Sequence, residues 1–454
     1  MPPSARALAA HGARTGRCLI TAAATLTAAC FDSTSPNDRS GSTSTPSATL
    51  ASFASSCTST ASAVTGQLPD GALFELCIPP APVGLVLYAH GYSQAADELS
   101  IHDEEIPDGS GGTMRLSELT NSLGFVFGAT SYPHVGLNGR EGVTSLALLK
   151  QAFTTAVGPL PAGAPTYVAG VSEGGMVAGL AAETMGGDIQ GVLSTCGPVG
   201  DFQAQLDYFG DFRVLFDYFF PGVLGAAWTN GPDYGAADRA YVASHWDQYQ
   251  ARILAALQAH PLAAAQLIAT SRAPIDPLDP ASVGETVVGV LWYNIFATDD
   301  ARQRLGGRPF DNHNRVYRGS FNDARLNARV QRFTAEPTAL ATIASDFQTT
   351  GALELPVVTD HTLLDPIVKA SQELLYAGRV ALAGQSARLT ELTVPRYGHC
   401  AFTAPELEFA LATLVGKTTS PVVAAKMPAA KVLPAMAGAS RFGAFARLGT
   451  PMTH

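Results

Sequence analysis

Positive charge is in short supply in this 454-residue chain. Lys and Arg number 28 against 38 Asp and Glu, for a formal net charge of −10. Seven of those cations sit at the two ends with no acid among them: Arg6, Arg14 and Arg17 in residues 1–29, and Lys426, Lys431, Arg441 and Arg447 in residues 418–454. The stretch between is therefore near −17, which argues against a nucleic-acid partner. Charged residues are sparse overall, at 15%, while hydrophobic ones reach 46%. That balance predicts a large buried core and one big domain with room for a substantial insertion.

Long apolar runs are missing from the N-terminus as well. Behind the three arginines, Cys18–Ala29 is apolar but too short to span a bilayer, so residues 1–29 read as an export signal. The run ends in Thr27-Ala28-Ala29-Cys30, which resembles a bacterial lipobox. Its leucine, Leu26, stands one position further from the cysteine than such signals prefer. Cys30 is thus a lipidation candidate and a possible membrane attachment point, with ordinary cleavage and secretion as the alternative. Residues 30–56, rich in Ser, Thr and Pro, suit a tether. Residues 418–454, rich in Ala, Pro and Gly without periodicity, read as a low-complexity tail.

Cysteine is scarce too. Setting aside Cys18 and Cys30 leaves Cys57, Cys77, Cys196 and Cys400, an even set that fits disulfides in an oxidising compartment. Four cysteines allow three pairings, and Cys57 with Cys77 is favoured because it closes an N-terminal hairpin turning at Leu68-Pro69-Asp70-Gly71.

The most specific stretch is Gly170-Val171-Ser172-Glu173-Gly174-Gly175. A β-prone run, Pro165–Ala169, precedes it and a helix start at Met176 follows, so Ser172 reads as a nucleophile on a strand-to-helix elbow where only small neighbours fit. Around it, strands are expected at Ala72–Cys77, Val83–Ala89, Phe125–Ala129, Gln190–Ser194, Leu355–Asp360 and Ala387–Val394. Helices are expected at Met114–Ser122, Val143–Ala156, Ser371–Tyr376 and Pro405–Leu414. Strands alternating with helices predict an α/β fold with a mostly parallel sheet flanked on both faces.

The elbow at Ser172, the His90-Gly91 turn ahead of it and this order of elements resemble the α/β-hydrolase superfamily over residues 57–200 and 351–417. The resemblance implies a serine hydrolase with no metal or organic cofactor. It implies an oxyanion hole from the backbone amides of Tyr92 and Glu173, and the chain order serine, acid, histidine. His399, in Tyr397-Gly398-His399-Cys400 ahead of the last helix, falls where that histidine belongs. Asp365 falls in the loop that carries the acid. Asp360 is its rival, read as a turn or capping residue, and His361 as a supporting residue. His102 and His134 precede the serine, and His245, His260 and His313 lack triad context; the bland reading for each is a surface or packing histidine. In such a fold the histidine loop passes the end of the strand finishing at Cys196, which implies a Cys196–Cys400 bridge.

Residues 201–350 exceed what the basic fold needs between its sixth and seventh strands and read as a mainly helical lid. It holds Trp228, Trp246 and Trp292, and ten aromatics between Phe202 and Tyr234. Phe209, Phe212, Phe216 and Phe219 share a helical face; the plain reading is that they form the lid's own core. The expected substrate is a small-molecule carboxylic ester with an apolar or aromatic group. A peptidase of the same fold is the runner-up, and the absence of a propeller-like repeat lowers one version of it. A non-catalytic surface binding protein is a third reading, and it fits poorly with a complete triad.

Overall fold

The structure is a computed structural model that describes residues 49–50, 53, 55–94, 97–224 and 244–418. The export signal, Cys30, Trp228, Tyr234, residues 419–454 of the tail and most of the tether lie outside the described residues.

Nine strands form the main sheet: β1 (Thr49–Leu50), β2 (Ser62–Gln67), β3 (Leu73–Ile78), β4 (Gly84–Ala89), β7 (Phe125–Thr130), β8 (Thr166–Val171), β9 (Gly191–Thr195), β10 (Val357–Leu364) and β11 (Leu389–Tyr397). Their order across the sheet is β1-β2-β3-β7-β4-β8-β9-β10-β11. The first three strands pair antiparallel, as does β3 with β7, and every neighbour beyond is parallel. A separate small hairpin pairs β5 (Glu105–Pro107) with β6 (Thr113–Arg115).

The central strands are buried along their whole length, and alternate side chains serve two different cores. Leu85 and Leu87 of β4 pack with α2 (Arg140–Ala156) and α3 (Glu173–Ala182) through Leu146, Leu149 and Val177. Val86 and Tyr88 of the same strand face the opposite layer, against α1 (Leu116–Ser122) and the C-terminal helix Ala404–Thr418 through Leu119, Leu411 and Leu414.

Several boundaries differ from the sequence reading: α3 starts at Glu173 rather than Met176, the helix from Ser371 runs to Leu382 and the last helix to Thr418. Residues Thr113–Arg115 are a strand, and the helix starts at Leu116, because Met114 pairs with Ile106 in the small hairpin. Helix α2 starts at Arg140, three residues before Val143. Most consequential, β10 runs on to Leu364, so Asp360 is a strand residue, not a turn or cap. Its backbone pairs with Thr195 and Leu392 on either side.

Between β9 and β10 the described chain is helical: α4 (Phe202–Phe219), α5 (Trp246–Ala259), α6 (Pro261–Ser271), α7 (Ser282–Arg304), α8 (Asp323–Arg329) and α9 (Pro337–Thr342). Phe209, Phe212 and Phe216 are buried in a core of the insertion's own, with Ile253, Leu291 and Phe310, and Phe219 packs against its side. That core continues into Ile367 and Val368, just after Asp365. After β10 come α10 (Ser371–Leu382), β11 and α11 (Ala404–Thr418).

Both disulfides are formed. Cys57 is bridged to Cys77 of β3 with Cα atoms 5.3 Å apart, and Cys196 to Cys400 with Cα atoms 5.4 Å apart. The second spans 204 residues and ties the end of β9 to the residue after His399. Replacing Cys196 and Cys400 together by serine is therefore expected to cost about 4 kcal/mol of stability, measured by denaturant unfolding, and to lower kcat more than it raises KM.

Candidate active site

Ser172 occupies the turn between β8 and α3 with φ 56° and ψ −120°, in the left-handed region that an L-residue rarely adopts. Strain of this kind persists only where the surroundings enforce it. They do so through glycines: a Cβ on Gly170 would come within 1.9 Å of the Gly174 carbonyl oxygen, and one on Gly174 within 1.9 Å of the Ala89 carbonyl oxygen. Backbone cannot move aside as a side-chain tip can. Gly174→Ala is thus expected to destabilise the fold by about 3 kcal/mol, read as a lower midpoint in urea.

The chain brings three distant side chains to this turn. Ser172 Oγ lies 2.8 Å from His399 Nε2, and His399 Nδ1 lies 2.7 Å from Asp365 Oδ2. The carboxylate can only accept, so Nδ1–H donates to it and Nε2 is left to accept from the serine hydroxyl. His399 retains some exposure while Asp365 is fully buried. Asp365 Oδ1 accepts the amides of Ile367 at 2.8 Å and Val368 at 3.0 Å. Burial pushes its carboxyl up, but His399 and His361 outweigh that and hold it below the usual carboxylate range.

The upstream turn sits against the serine. A Cβ on Gly91 would meet Ser172 Cβ at 3.3 Å, so the residue there must be small for the turn to come this close. His90 is buried, stacked between His102 and Tyr132 with ring centroids at 4.3 and 4.2 Å. Burial and the neighbouring His102 bring its pKa down to about 3, so it is a neutral prop. Glu173 opens α3, where helix-start amides lack intrahelical acceptors. Its side chain turns away and accepts the Asn138 amide at 3.0 Å; burial and Asp300 hold its carboxyl well above the usual range.

Sequence reasoning missed Tyr293 and Glu373 at this site and misread the setting of Asp360. Tyr293 on α7 presents its ring edge to His399, centroids 6.2 Å apart, and Trp292 and Tyr92 crowd against it. Glu373 on α10 bonds His361, and Asp360, four residues after Pro356, is buried with its carboxyl pushed up to about 7 by burial, Glu373 and Glu406. Trp292 was counted among the insertion's tryptophans, but Tyr293 beside it was not, and nothing in the sequence aimed it at His399. His102 stacks on His90 instead of reaching the serine, and His134 bonds Glu141. Among the described residues, the side chains that meet Ser172 Oγ and Asp365 Oδ2 come from His399 and His361.

Among the described residues, two clusters bring His, Cys or Glu ligand atoms close together, Cys196–His399–Cys400 and Cys57–Glu75–Cys77. Each spends both thiols in a disulfide, which removes the thiolate a metal would need.

The chain matches no protein-family model and no curated protein. Solved structures similar to it include an esterase from Aspergillus oryzae at 15% identity, covering 74% of this chain and 73% of that one with a TM-score of 0.39. Feruloyl esterase B from Aspergillus oryzae is 13% identical over 79% of each chain, with a TM-score of 0.40. The acylaminoacyl peptidase of Pyrococcus horikoshii is 9% identical over 79% of this chain and 41% of its own, with a TM-score of 0.39. Likenesses at these values carry no information on substrate. The fold reading rests on the chain itself: a mostly parallel sheet wrapped by helices, a serine on a strained elbow at the C-terminal end of a central strand, and an acid and a histidine following it in that order. This sheet order and the serine elbow after β8 are those of the α/β-hydrolase fold.

Proposed function

We propose that the chain is a serine hydrolase that cleaves carboxylic esters through an acyl-enzyme intermediate. The observation that carries this reading is the unbroken line from Ser172 Oγ through His399 to Asp365, at 2.8 and 2.7 Å. In the first step His399 Nε2 takes the hydroxyl proton as Ser172 Oγ attacks the ester carbonyl, and Asp365 stabilises the imidazolium that results. Negative charge gathers on the carbonyl oxygen, where the backbone amides of Tyr92 and Glu173 are assigned to receive it. His399 then returns its proton to the leaving alcohol. In the second half a water loses its proton to His399 and attacks the acyl carbonyl, and His399 returns that proton to Ser172 Oγ as the bond to the acyl group breaks and the acid leaves.

The insertion supplies the wall that the acyl or alcohol group would meet. Tyr92, Trp292, Tyr293 and Phe296 form a connected aromatic set beside His399, which supports an ester with an apolar or aromatic group. The two disulfides support an exported protein, attached to a membrane if Cys30 carries lipid. The test is a panel of p-nitrophenyl esters and peptide p-nitroanilides. Ester turnover with little amide cleavage is expected, whereas amide cleavage alone would move the reading to a peptidase, and neither would end the hydrolase reading.

A further inference from the structure

We propose that His361, anchored by Glu373, is a positioning residue that keeps Asp365 ionised and aligned behind His399; the role rests on the hydrolase reading above. His361 is fully buried, and both ring nitrogens face acceptors: Nε2 lies 2.8 Å from the Val368 carbonyl oxygen and Nδ1 2.9 Å from Glu373 Oε1. A carbonyl oxygen and a carboxylate can only accept, so the ring satisfies both by carrying a proton on each nitrogen. The positive ring sits 3.6 Å, through Nε2, from Asp365 Oδ2, the same oxygen that receives His399 Nδ1–H.

That placement answers a problem the triad leaves open. Asp365 is 0% exposed, and a buried carboxylate without a counter-charge takes up a proton. Two backbone amides help, yet His399 is neutral when it accepts the serine proton, so it gives Asp365 no positive charge at rest. His361 supplies one throughout the cycle. Val368 joins the two: its amide donates to Asp365 Oδ1 and its carbonyl accepts from His361. Glu373 lies in the first turn of α10, where the helix dipole favours an anion.

The surroundings fit a cationic ring. Asp360 on β10, Glu391 on β11 and Glu406 on α11 join Asp365 and Glu373 in this quarter. Of these, Glu406 is paired to Arg396, and burial with Glu373 nearby pushes the Glu391 carboxyl up to about 6. Burial alone would lower the His361 pKa; Asp365 and Glu373 outweigh it and carry it up to about 10.

Two measurements test the proposal. In the first, kcat and KM for a short p-nitrophenyl ester are followed against pH in the wild type, His361→Gln and the double variant His361→Gln/Glu373→Gln. The single variant strands a buried Glu373 charge and can fail to fold; the double variant leaves no lone charge. In the variants that fold, kcat near pH 7 is expected to fall about tenfold with KM within about twofold. The acid limb is expected to move up by about half a unit to one unit, since removing a nearby positive charge makes acid protonation of the Asp365–His399 pair easier. A folded double variant with unchanged kcat and acid limb would overturn the proposal. In the second, 15N spectra of histidine-labelled protein at pH 7 should show both His361 ring nitrogens protonated; one bare nitrogen would overturn it whatever the activity. An inactive wild type whose His361 is doubly protonated would instead sink the hydrolase reading, and the positioning role with it.

Discussion

Ser172→Ala is expected to lower kcat for a short p-nitrophenyl ester by roughly 10,000-fold or more, with circular dichroism and thermal midpoint near those of the wild type. The alanine removes the only atom His399 Nε2 can activate, and no neighbouring hydroxyl replaces it: the His399 side-chain bonds run to Ser172, Asp365 and Cys400 alone among the described residues. Cys400 cannot substitute, because its sulfur is spent in the bridge to Cys196. The backbone of the elbow stays as it was, since an alanine Cβ occupies the position the serine Cβ already fills. Residual turnover would come from binding and the oxyanion amides acting on water. A loss under about a hundredfold would mean that another group performs the attack.

Asp365→Asn is the second large effect, about 10,000-fold in kcat with KM little changed, and its direction follows from the hydrogen bonds. Asp365 Oδ1 is pinned by the amides of Ile367 and Val368, so the asparagine must keep its carbonyl oxygen there. Its amide NH2 then replaces Oδ2 and points a donor at His399 Nδ1. Two donors cannot pair, so the ring gives up its Nδ1 proton and carries it on Nε2. In that tautomer Nε2 faces Ser172 with a hydrogen and cannot accept another. Asp360→Asn is the contrasting variant: it sits on β10 outside this line of bonds, so its effect on kcat is expected to be small, about threefold or less. Comparable losses at both positions would reject Asp365 as the acid.

How much of this was legible in the sequence depends on how local each signal was. The elbow could be read because strand, strained serine and helix are adjacent, and because the close approaches at Gly170 and Gly174 admit no side chain. Strands β4 and β7 could be read because burial on both faces leaves an unbroken apolar run. The C-terminal end of β10 was hidden. Thr359-Asp360-His361-Thr362 is polar, so the sequence reading ended the strand at Asp360, yet all four are buried: His361 bonds Glu373 on α10, and Thr362 Oγ1 donates to the Gly398 carbonyl in the loop after β11. Likewise the Tyr293–His399 contact joins an insertion helix to a loop more than a hundred residues away, and only the packing of the insertion sets which of its aromatics faces the site. The phenylalanines of α4 followed the plainer expectation, filling the insertion's core. Polar residues that are buried because they are mutually paired carry no periodic mark, and His361 and Glu373 are of that kind.

The most direct test of Ser172 as an activated nucleophile is covalent. The protein is treated with a fluorophosphonate, digested, and the adduct mapped by mass spectrometry, alongside His399→Ala. A single adduct on Ser172 is expected, formed at least about a hundredfold more slowly once His399 is gone. No adduct, an adduct on another residue, or labelling of Ser172 that does not depend on His399 would contradict the assignment.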